Sequence, residues 1–278
     1  MRLIKPSVEI IKQEEYDLNH IFKFIELAGR TCYKSADKIT KDSAKEFVDR
    51  MIKSGHGAML EHGTVYLTIP NKNVSRSLLI YYCERNPYSK VVWTDTNVYI
   101  TTNYRVIIEN NWNDDLEYIT APTEFHVKRT TVKFICDRGV SHEFIRHRVF
   151  SFAQESTRYC NYTKDKFNNE LTFIIPCWIK DLKESSYYAY CEYHHSKNDA
   201  SKRWFDSCMS SEFVYTNLIE EGWKPQEART ILPNSLKTEL IMTGFDSDWQ
   251  NFFKLRCAPN AHPQAKELAD MLKDKFNK

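Results

Sequence analysis

Strand-like and helix-like patterns follow one another irregularly along this chain, and that order limits the folds it can adopt. Segments 64–69 and 130–136 have the composition and pattern of strands, and the first stops at Pro70. Apolar residues in 42–55 recur with the 3.6-residue period of a helix, and Gly55 follows as a C-terminal cap. Because there is no regular βαβ alternation, the sequence predicts an α+β fold with mixed helices around a central antiparallel or mixed sheet.

Local signals predict several further elements. Segment 151–162 has aromatic residues but no clear apolar period, so we expect it to be irregular, and the Asn-rich 109–115 reads as a loop. The other expected elements are a helix over 141–149, a strand over 171–175, one long helix or two over 184–221, a short helix opened by Pro225, a helix with Asp246 as N-cap that reaches Arg256, and a helix over 263–276.

Length and composition indicate an ordinary globular protein. The chain has 278 residues, of which 42% are hydrophobic, so it can bury most of its apolar surface. No internal repeat or clear linker interrupts it, and we expect one domain over 1–278. Lys and Arg (39) nearly balance Asp and Glu (37), which argues against a general nucleic-acid binder.

The same sequence carries no membrane, export or metal signal. No run of about 18 apolar residues is present, and the N-terminus lacks the apolar core of a signal peptide, so we expect a cytoplasmic protein. None of the eight cysteines forms a Cys-x-x-Cys pair, and free thiols are expected. Cys191 with His194 and His195 is the nearest approach to a zinc cluster but lacks a second ligand group, so no metal is expected.

A cluster of arginines between residues 144 and 159 predicts an anion site. Arg146, Arg148 and Arg158 lie within thirteen residues and alternate with large apolar residues. Guanidinium groups beside buried surface are typically held by carboxylates or phosphates, so a phosphorylated small molecule is a reasonable ligand. A solvated face with local salt bridges is the alternative. Arg229 and Arg256 are further basic positions downstream.

Several motifs together resemble those of the flavin-dependent thymidylate synthases. The chain has Arg146-His147-Arg148, then seven residues, then Ser156, which matches that family's Arg-His-Arg pattern. Other matching segments appear in the family's order and approximate spacing, namely Gly55-His56, Glu61-His62, Arg158-Tyr159, Glu227 to Pro233, Asn251, Leu255-Arg256 and Ala261 to Gln264. The resemblance covers most of the chain and is weakest over 71–122, which we interpret as an insertion.

The resemblance implies a reaction and a set of ligands. Family members methylate dUMP to dTMP with 5,10-methylenetetrahydrofolate as carbon donor, FAD as hydride carrier and NADPH as reductant. By the same resemblance the chain forms a homotetramer with shared active sites. The implied FAD contacts are His56, Glu61, Arg146, His147, Arg148, Gln154 and Asn251. The implied dUMP contacts are Glu143, Arg146, Gln154, Glu155, Ser156, Thr157, Arg158, Arg229 and Arg256.

Arg256 is the residue that the resemblance marks as catalytic. Methylation needs the uracil C5 to act as a carbon nucleophile, and a fixed guanidinium beside a uracil oxygen or N3 would stabilise negative charge in the ring. Ser156 has no adjacent general base, so we interpret it as a binding residue. The chain departs from the family at Phe245 and Ser247, where some members carry Asn and Arg, and at Cys32, where the family has a serine.

Two alternatives come from other classes of protein. A classical thymidylate synthase would use a cysteine nucleophile, and Pro176-Cys177 matches its Pro-Cys dipeptide, although the wider motif is missing. A nucleotide- or RNA-binding module would use the basic and aromatic segment 144–159, although the near-neutral total charge weighs against it.

Overall fold

The computed structural model describes residues 1–73, 86–185 and 199–277 and confirms the α+β class. Its strands are β1 Arg2–Ile4, β2 Ser7–Ile11, β3 Thr64–Pro70, β4 Lys90–Trp93, β5 Asn97–Asn103, β6 Arg129–Asp137, β7 Ser151–Gln154, β8 Thr172–Ile174 and β9 Lys237–Phe245. Its α-helices are α1 Leu18–Tyr33, α2 Ser43–Lys53, α3 Tyr104–Glu109, α4 Arg138–Phe144, α5 Asp199–Glu220, α6 Pro225–Ala228, α7 Asp246–Arg256 and α8 Pro263–Phe276.

A four-stranded antiparallel sheet in the order β2-β6-β9-β7 forms the centre. Strand β9 is bonded on both sides: it pairs with β6 from Arg129↔Phe245 to Asp137↔Lys237 and with β7 from Ser151↔Thr243 to Gln154↔Leu240. All of β9 after Lys237 is buried. Side chains alternate between the faces of a strand, so β9 contributes buried side chains to both faces of the sheet.

The two faces of this sheet are covered by different helices. On one face Phe134 and Met242 pack with Trp249 and Phe252 of α7 and with Leu268 of α8. On the other face Ala28 of α1 packs against Ala153 and Ile241. Helix α1 begins at the Asp17 cap, whose carboxylate accepts the His20 amide proton at 2.9 Å.

Smaller sheets complete the described fold. Strands β3, β5 and β4 form an antiparallel sheet in that order, whose apolar residues share a core with α1, α2 and α3. Strands β1 and β8 pair in parallel and pack near α5. The expected insertion 71–122 therefore contributes β4, β5 and α3, while its residues 74–85 lie outside the described ranges.

Several predicted elements are confirmed with small shifts of their ends. The helix expected over 42–55 spans Ser43–Lys53, and the strands expected over 64–69, 130–136 and 171–175 are present. The C-terminal helix also lies where it is predicted. The helix expected from Asp246 begins there, but Phe245 and not Asp246 is its N-cap. The backbone N–H of Phe245 donates to Asp248 Oδ2 at 3.2 Å.

Two predictions of local structure are wrong. The helix expected over 141–149 spans Arg138–Phe144, because the Asp137 carboxylate accepts the Val140 amide at 2.7 Å and starts the helix early. Segment 151–162 is not wholly irregular, because Ser151–Gln154 forms a strand that pairs with β9. One long helix or two are expected over 184–221. The described residues contain the helix Asp199–Glu220, Ser185 pairs with Leu3, and 186–198 lie outside the described residues.

No helix within the described ranges is both long enough and apolar enough to cross a bilayer. That residues 1–278 make up a single domain stays a prediction.

We predict that Gly244→Ala destabilises the protein. A Cβ at Gly244 would lie 2.5 Å from Cδ1 of Phe150, and both residues are within the packed face of the sheet. Overpacking of this kind costs roughly 1–3 kcal/mol. Urea unfolding should show a lower midpoint for Gly244→Ala, whereas Ser7→Ala, at an exposed position on the edge strand, should unfold like the wild type. An unchanged midpoint for Gly244→Ala would contradict the described packing.

Candidate functional site

Arg256, at the end of α7, is held against α4 and the turn that follows it. Its Nη1 donates to Glu143 Oε2 at 2.7 Å, its Nη2 donates to the Glu143 carbonyl, and its Nε donates to His147 Nε2 at 2.8 Å. The guanidinium side chain is 15% exposed. The structure therefore brings together three predicted site residues, Glu143, His147 and Arg256, around one fixed cation.

The contact with Arg256 defines the protonation of His147. Arginine has no lone pair to offer, so His147 Nε2 must be the acceptor and the ring must be neutral. Burial, helped by the charge of Arg256, lowers the pKa of His147 to about 4, although Glu143 opposes the shift. His147 acts here as a neutral acceptor that orients a guanidinium.

The turn between α4 and β7 exposes two further guanidinium groups. Arg146 and Arg148 are exposed on either side of buried His147. Phe150, 5% exposed, closes the turn by packing against Trp249 with ring centroids 4.5 Å apart. Alternation of buried and exposed residues thus directs His147 inward and the two arginines outward, next to exposed Ile145 and Val149.

The segment from Gln154 to Arg158 leaves the edge strand β7 and turns along the surface. Gln154 Nε2 donates to Ser141 Oγ at 2.8 Å and to Thr238 Oγ1 at 3.2 Å. Thr157 Oγ1 accepts from Arg229 Nη1 at 3.3 Å, and Arg158 is exposed. Two basic side chains predicted to bind one ligand therefore lie on this short segment and directly after helix α6.

Glu155, in the middle of this segment, turns its side chain into the protein. It is 1% exposed, and its carboxylate accepts from Tyr162 at 3.0 Å and from Lys237 at 2.7 Å. Lys237 also donates to Glu239 at 2.8 Å, and Lys34 and Lys133 contact Glu239 as well. Burial alone would raise the pKa of Glu239, but Lys237 and Lys34 hold it far below its ordinary value.

The last turn of α1 lies against the same segment. The Cys32 carbonyl accepts the Ser156 amide at 3.0 Å, and the Tyr33 and Tyr159 rings lie 5.3 Å apart. Tyr33 and Lys34 also line a cavity of about 860 Å³. The predicted contact His56 is exposed and lines the same cavity, so this cavity joins His56 to the end of α1.

Glu61 is hydrogen-bonded to two arginines, of which Arg105 belongs to the expected insertion. Arg105 of α3 donates to its carboxylate at 2.6 Å, and Arg129 donates to its carbonyl at 3.2 Å. Phe245 is buried, and the Arg129 guanidinium and the Lys90 ammonium lie 5.6 Å and 5.5 Å from its ring centre. The insertion therefore packs beside the predicted site instead of standing apart from it.

Asn251 is exposed on α7 and is five residues before Arg256, so the two residues point from different faces of that helix. The structure thus forms three groups of predicted residues: one around Arg256, one along Gln154–Arg158 with Arg229, and one at His56 and Glu61. Strands β7 and β9 join them, because the short 3-10 helix Gly57–His62 packs against both strands.

Sequence reasoning missed the residues that support these groups. Lys34, Lys237, Glu239, Arg105 and Arg129 all contact predicted site residues or their neighbours. The Lys237-x-Glu239 spacing was a usable signal, because side chains two apart share one face of a strand. Contacts of Lys34, Arg105 and Arg129 join elements far apart in the sequence and had no local signal.

One group of described residues has the spacing of metal ligands. Glu15, Asp17 and His20 place ligand atoms within 4.8 Å of one another at the surface. Both nitrogens of His20 already contact these carboxylates, at 2.6 Å and 2.8 Å, which is the geometry of an ion-pair cluster. Cys191, His194 and His195 lie outside the described residues.

Comparison with known proteins places the chain in a family. The model of the family described as thymidylate synthase complementing protein matches residues 118–278, more than half of the chain. The chain belongs to this family. The matched region contains the Arg256 group and the Gln154–Arg158 segment.

Individual relatives agree with the family match. A flavin-dependent thymidylate synthase of Pyrococcus furiosus is 28% identical over 202 residues, which cover 70% of this chain and 75% of that relative. The enzyme of the same name from Pyrococcus horikoshii is 29% identical over 134 residues, so the match spans about half its length, 48% of each chain. A Corynebacterium aurimucosum relative of that name is 22% identical over 88% of this chain and 71% of its own length.

We predict that His147→Gln reduces the loss of stability on mild acidification. His147 has a pKa of about 4 in the folded state against an ordinary value of 6.5, so between these values the unfolded chain binds the extra proton. The stability that neutral His147 contributes is present above pH 6.5 and is lost as the pH falls toward 4. Between pH 7 and pH 5 this amounts to about 2 kcal/mol.

Urea unfolding at pH 7 and pH 5 measures this difference. The loss of stability between pH 7 and pH 5 should be smaller in His147→Gln than in the wild type. It should equal the wild-type loss in His142→Gln, which alters an exposed histidine on α4. Equal losses in all three proteins would show that His147 is not held neutral by its surroundings.

Proposed function

We propose that the protein is a flavin-dependent thymidylate synthase that converts dUMP to dTMP, with FAD as cofactor, 5,10-methylenetetrahydrofolate as carbon donor and NADPH as reductant. One observation carries the proposal: Arg256 is fixed by Glu143 and by His147, and His147 is the middle residue of the Arg146-His147-Arg148 motif. The shared name of the curated relatives supports the same reaction.

The chemistry of the donor set supports FAD as the cofactor. The exposed guanidinium groups of Arg146 and Arg148 suit a pyrophosphate, since arginine forms paired hydrogen bonds with phosphate oxygens. We assign His56, Glu61, His147, Gln154 and Asn251 to the flavin site with them. When bound, the flavin supplies the hydride for the reduction, and the protein binds and orients it.

The second group of residues suits a nucleoside monophosphate. We assign the phosphate and sugar to Ser156, Thr157, Arg158 and Arg229, because the Arg229–Thr157 hydrogen bond brings a second guanidinium to the segment that carries Arg158. Glu143, Arg146 and Gln154 are assigned to the uridine side of the same ligand. The side chain of Glu155 is buried and paired with Tyr162 and Lys237, so we do not assign its carboxylate to the ligand.

Arg256 is assigned to the uracil ring. Its three acceptors keep the guanidinium in one place, so it can stabilise negative charge on a uracil oxygen or N3 without first being reorganised. The ring is then able to react as a carbon nucleophile at C5. Neutral His147 serves this step because a protonated ring could not accept from Arg256.

The state of the cysteines argues against the classical reaction. Burial raises the pKa of the Cys177 thiol, and it raises that of Cys32 to about 11 and that of Cys160 to about 12. A thiol with a raised pKa is a poor source of the thiolate that a cysteine nucleophile requires. This favours activation by Arg256 over activation by covalent addition.

We propose that the chain assembles as a homotetramer with shared sites. Arg146, Arg148 and Asn251 are exposed beside the exposed apolar residues Ile145, Val149 and Leu255, a pairing that suits a contact with a second subunit. Light scattering should give four chains per particle, and full activity from a monomer would refute shared sites.

We predict that Arg256→Ala lowers dTMP formation by about 10²–10³-fold, the effect of removing one electrostatic group from a transition state. Flavin absorbance of the purified or FAD-treated variant should match the wild type, because Arg256 acts on uracil. Chromatography of the nucleotide products measures the rate. Lys254→Ala, at an exposed position on the same helix, is the control and should keep its rate. Retained turnover in Arg256→Ala would remove Arg256 from the mechanism.

A further inference from the structure

The substrate segment Gln154–Arg158 is attached to the protein interior at its second residue. Glu155 donates its amide to the Glu239 carbonyl at 2.9 Å and accepts at its own carbonyl from Arg138 at 3.4 Å. Its carboxylate receives Tyr162 on one oxygen and Lys237 on the other. Every polar part of Glu155 therefore has a partner in its own chain.

The Glu155 carboxylate is buried, so its charge depends on its hydrogen-bonding and ion-pair partners. Its side chain is 0% exposed, and a buried charge is stable only when it is paired and hydrogen-bonded. Tyr162 is itself buried, which raises its pKa far above the ordinary value, so its hydroxyl keeps the proton that it donates. Lys237 is 13% exposed and is shared with Glu239, which ties the segment to β9.

The three residues that follow Glu155 differ in exposure. Ser156 is half-buried, Thr157 is buried and accepts a hydrogen bond from Arg229, and Arg158 is exposed. Turning the Glu155 backbone would move all three side chains together, since they follow it without a break. The position of Glu155 thus sets where the phosphate-binding groups stand.

We infer that Tyr162 and Lys237 are positioning residues that fix the nucleotide-binding segment through Glu155, and that the Glu155 carboxylate itself does not touch the nucleotide. The inference rests on the proposed function for the identity of the nucleotide, dUMP. It assigns roles to Tyr162 and Lys237, which lie outside the motif that carries the arginines.

The test compares Tyr162→Phe and Glu155→Gln with the wild-type holoenzyme. Tyr162→Phe removes one hydroxyl and keeps the ring, and Glu155→Gln keeps the shape and removes the charge. We expect both to raise the dissociation constant for dUMP, measured by calorimetry, by about tenfold, the effect of one hydrogen bond of about 1.4 kcal/mol. The KM for dUMP should rise equally, while kcat at saturating dUMP and FAD binding remain within twofold of the wild type.

Tyr215→Phe is the matched control, because Tyr215 is buried in the same core and its ring packs against Tyr162 at 5.9 Å. It should bind dUMP like the wild type. A Tyr162→Phe variant that also binds like the wild type, with Glu155→Gln weakened, would mean that Glu155 contacts the nucleotide and would overturn the inference. Equal losses of dUMP affinity, FAD affinity and kcat in Tyr162→Phe would show a merely structural role and would also overturn it.

The same experiment separates this inference from the proposed function. A wild-type protein that fails to bind dUMP contradicts the proposed function. A wild-type protein that binds dUMP, together with an unaffected Tyr162→Phe variant, contradicts only the positioning role.

Discussion

The pairing of β9 with strands on both of its sides is the constraint on which the rest of the structure depends. Its nine residues bond to β6 along their whole length, and four of them also bond to β7. A one-residue slip would exchange the two faces of β9. It would move Leu240 and Met242 out of the α7–α8 core and would carry Lys237 and Glu239 away from Glu155.

This register also connects the separate parts of the candidate site. At its first residue β9 supplies Lys237, which donates to Glu155 in the Gln154–Arg158 segment, and after its last residue the chain enters α7, which ends at Arg256. Gly244 leaves room for Phe150, so the Arg146–Arg148 turn can close over the sheet. The two groups of charged residues differ in exposure. The charges around Glu155 are paired with one another inside the protein, whereas the turn around His147 exposes Arg146 and Arg148.

The sequence predicts elements that have a local pattern, such as helix 42–55 and strand 130–136. Glu143, His147 and Arg256 are predicted site residues from separate motifs, and the structure brings them into contact. Helix α1 and strand β9 were not predicted, although both support the site. In β9 the run Thr238 to Gly244 is buried on both faces, so its hydrophobic pattern lacks the alternation that marks a half-exposed strand.

The side-chain orientation of site residues was the other limit. Glu155 stands between Gln154 and Ser156 in a polar segment, and nothing in the sequence indicates that it faces inward. That direction follows from the pairing of β7 with β9, from the nearby Tyr162, and from Lys237 and Lys34, which lie in distant parts of the chain. Contacts of long sequence separation leave no periodic signal, so only the folded structure shows them.

We propose that the residues assigned to the flavin and those assigned to the nucleotide form one site joined through β7 and β9. Titration of dUMP into the FAD-loaded protein, followed by flavin absorbance, tests it most directly. We predict a saturable change in the flavin spectrum that is complete at one dUMP per chain. An unchanged spectrum, with dUMP binding shown by calorimetry in the same samples, would contradict it.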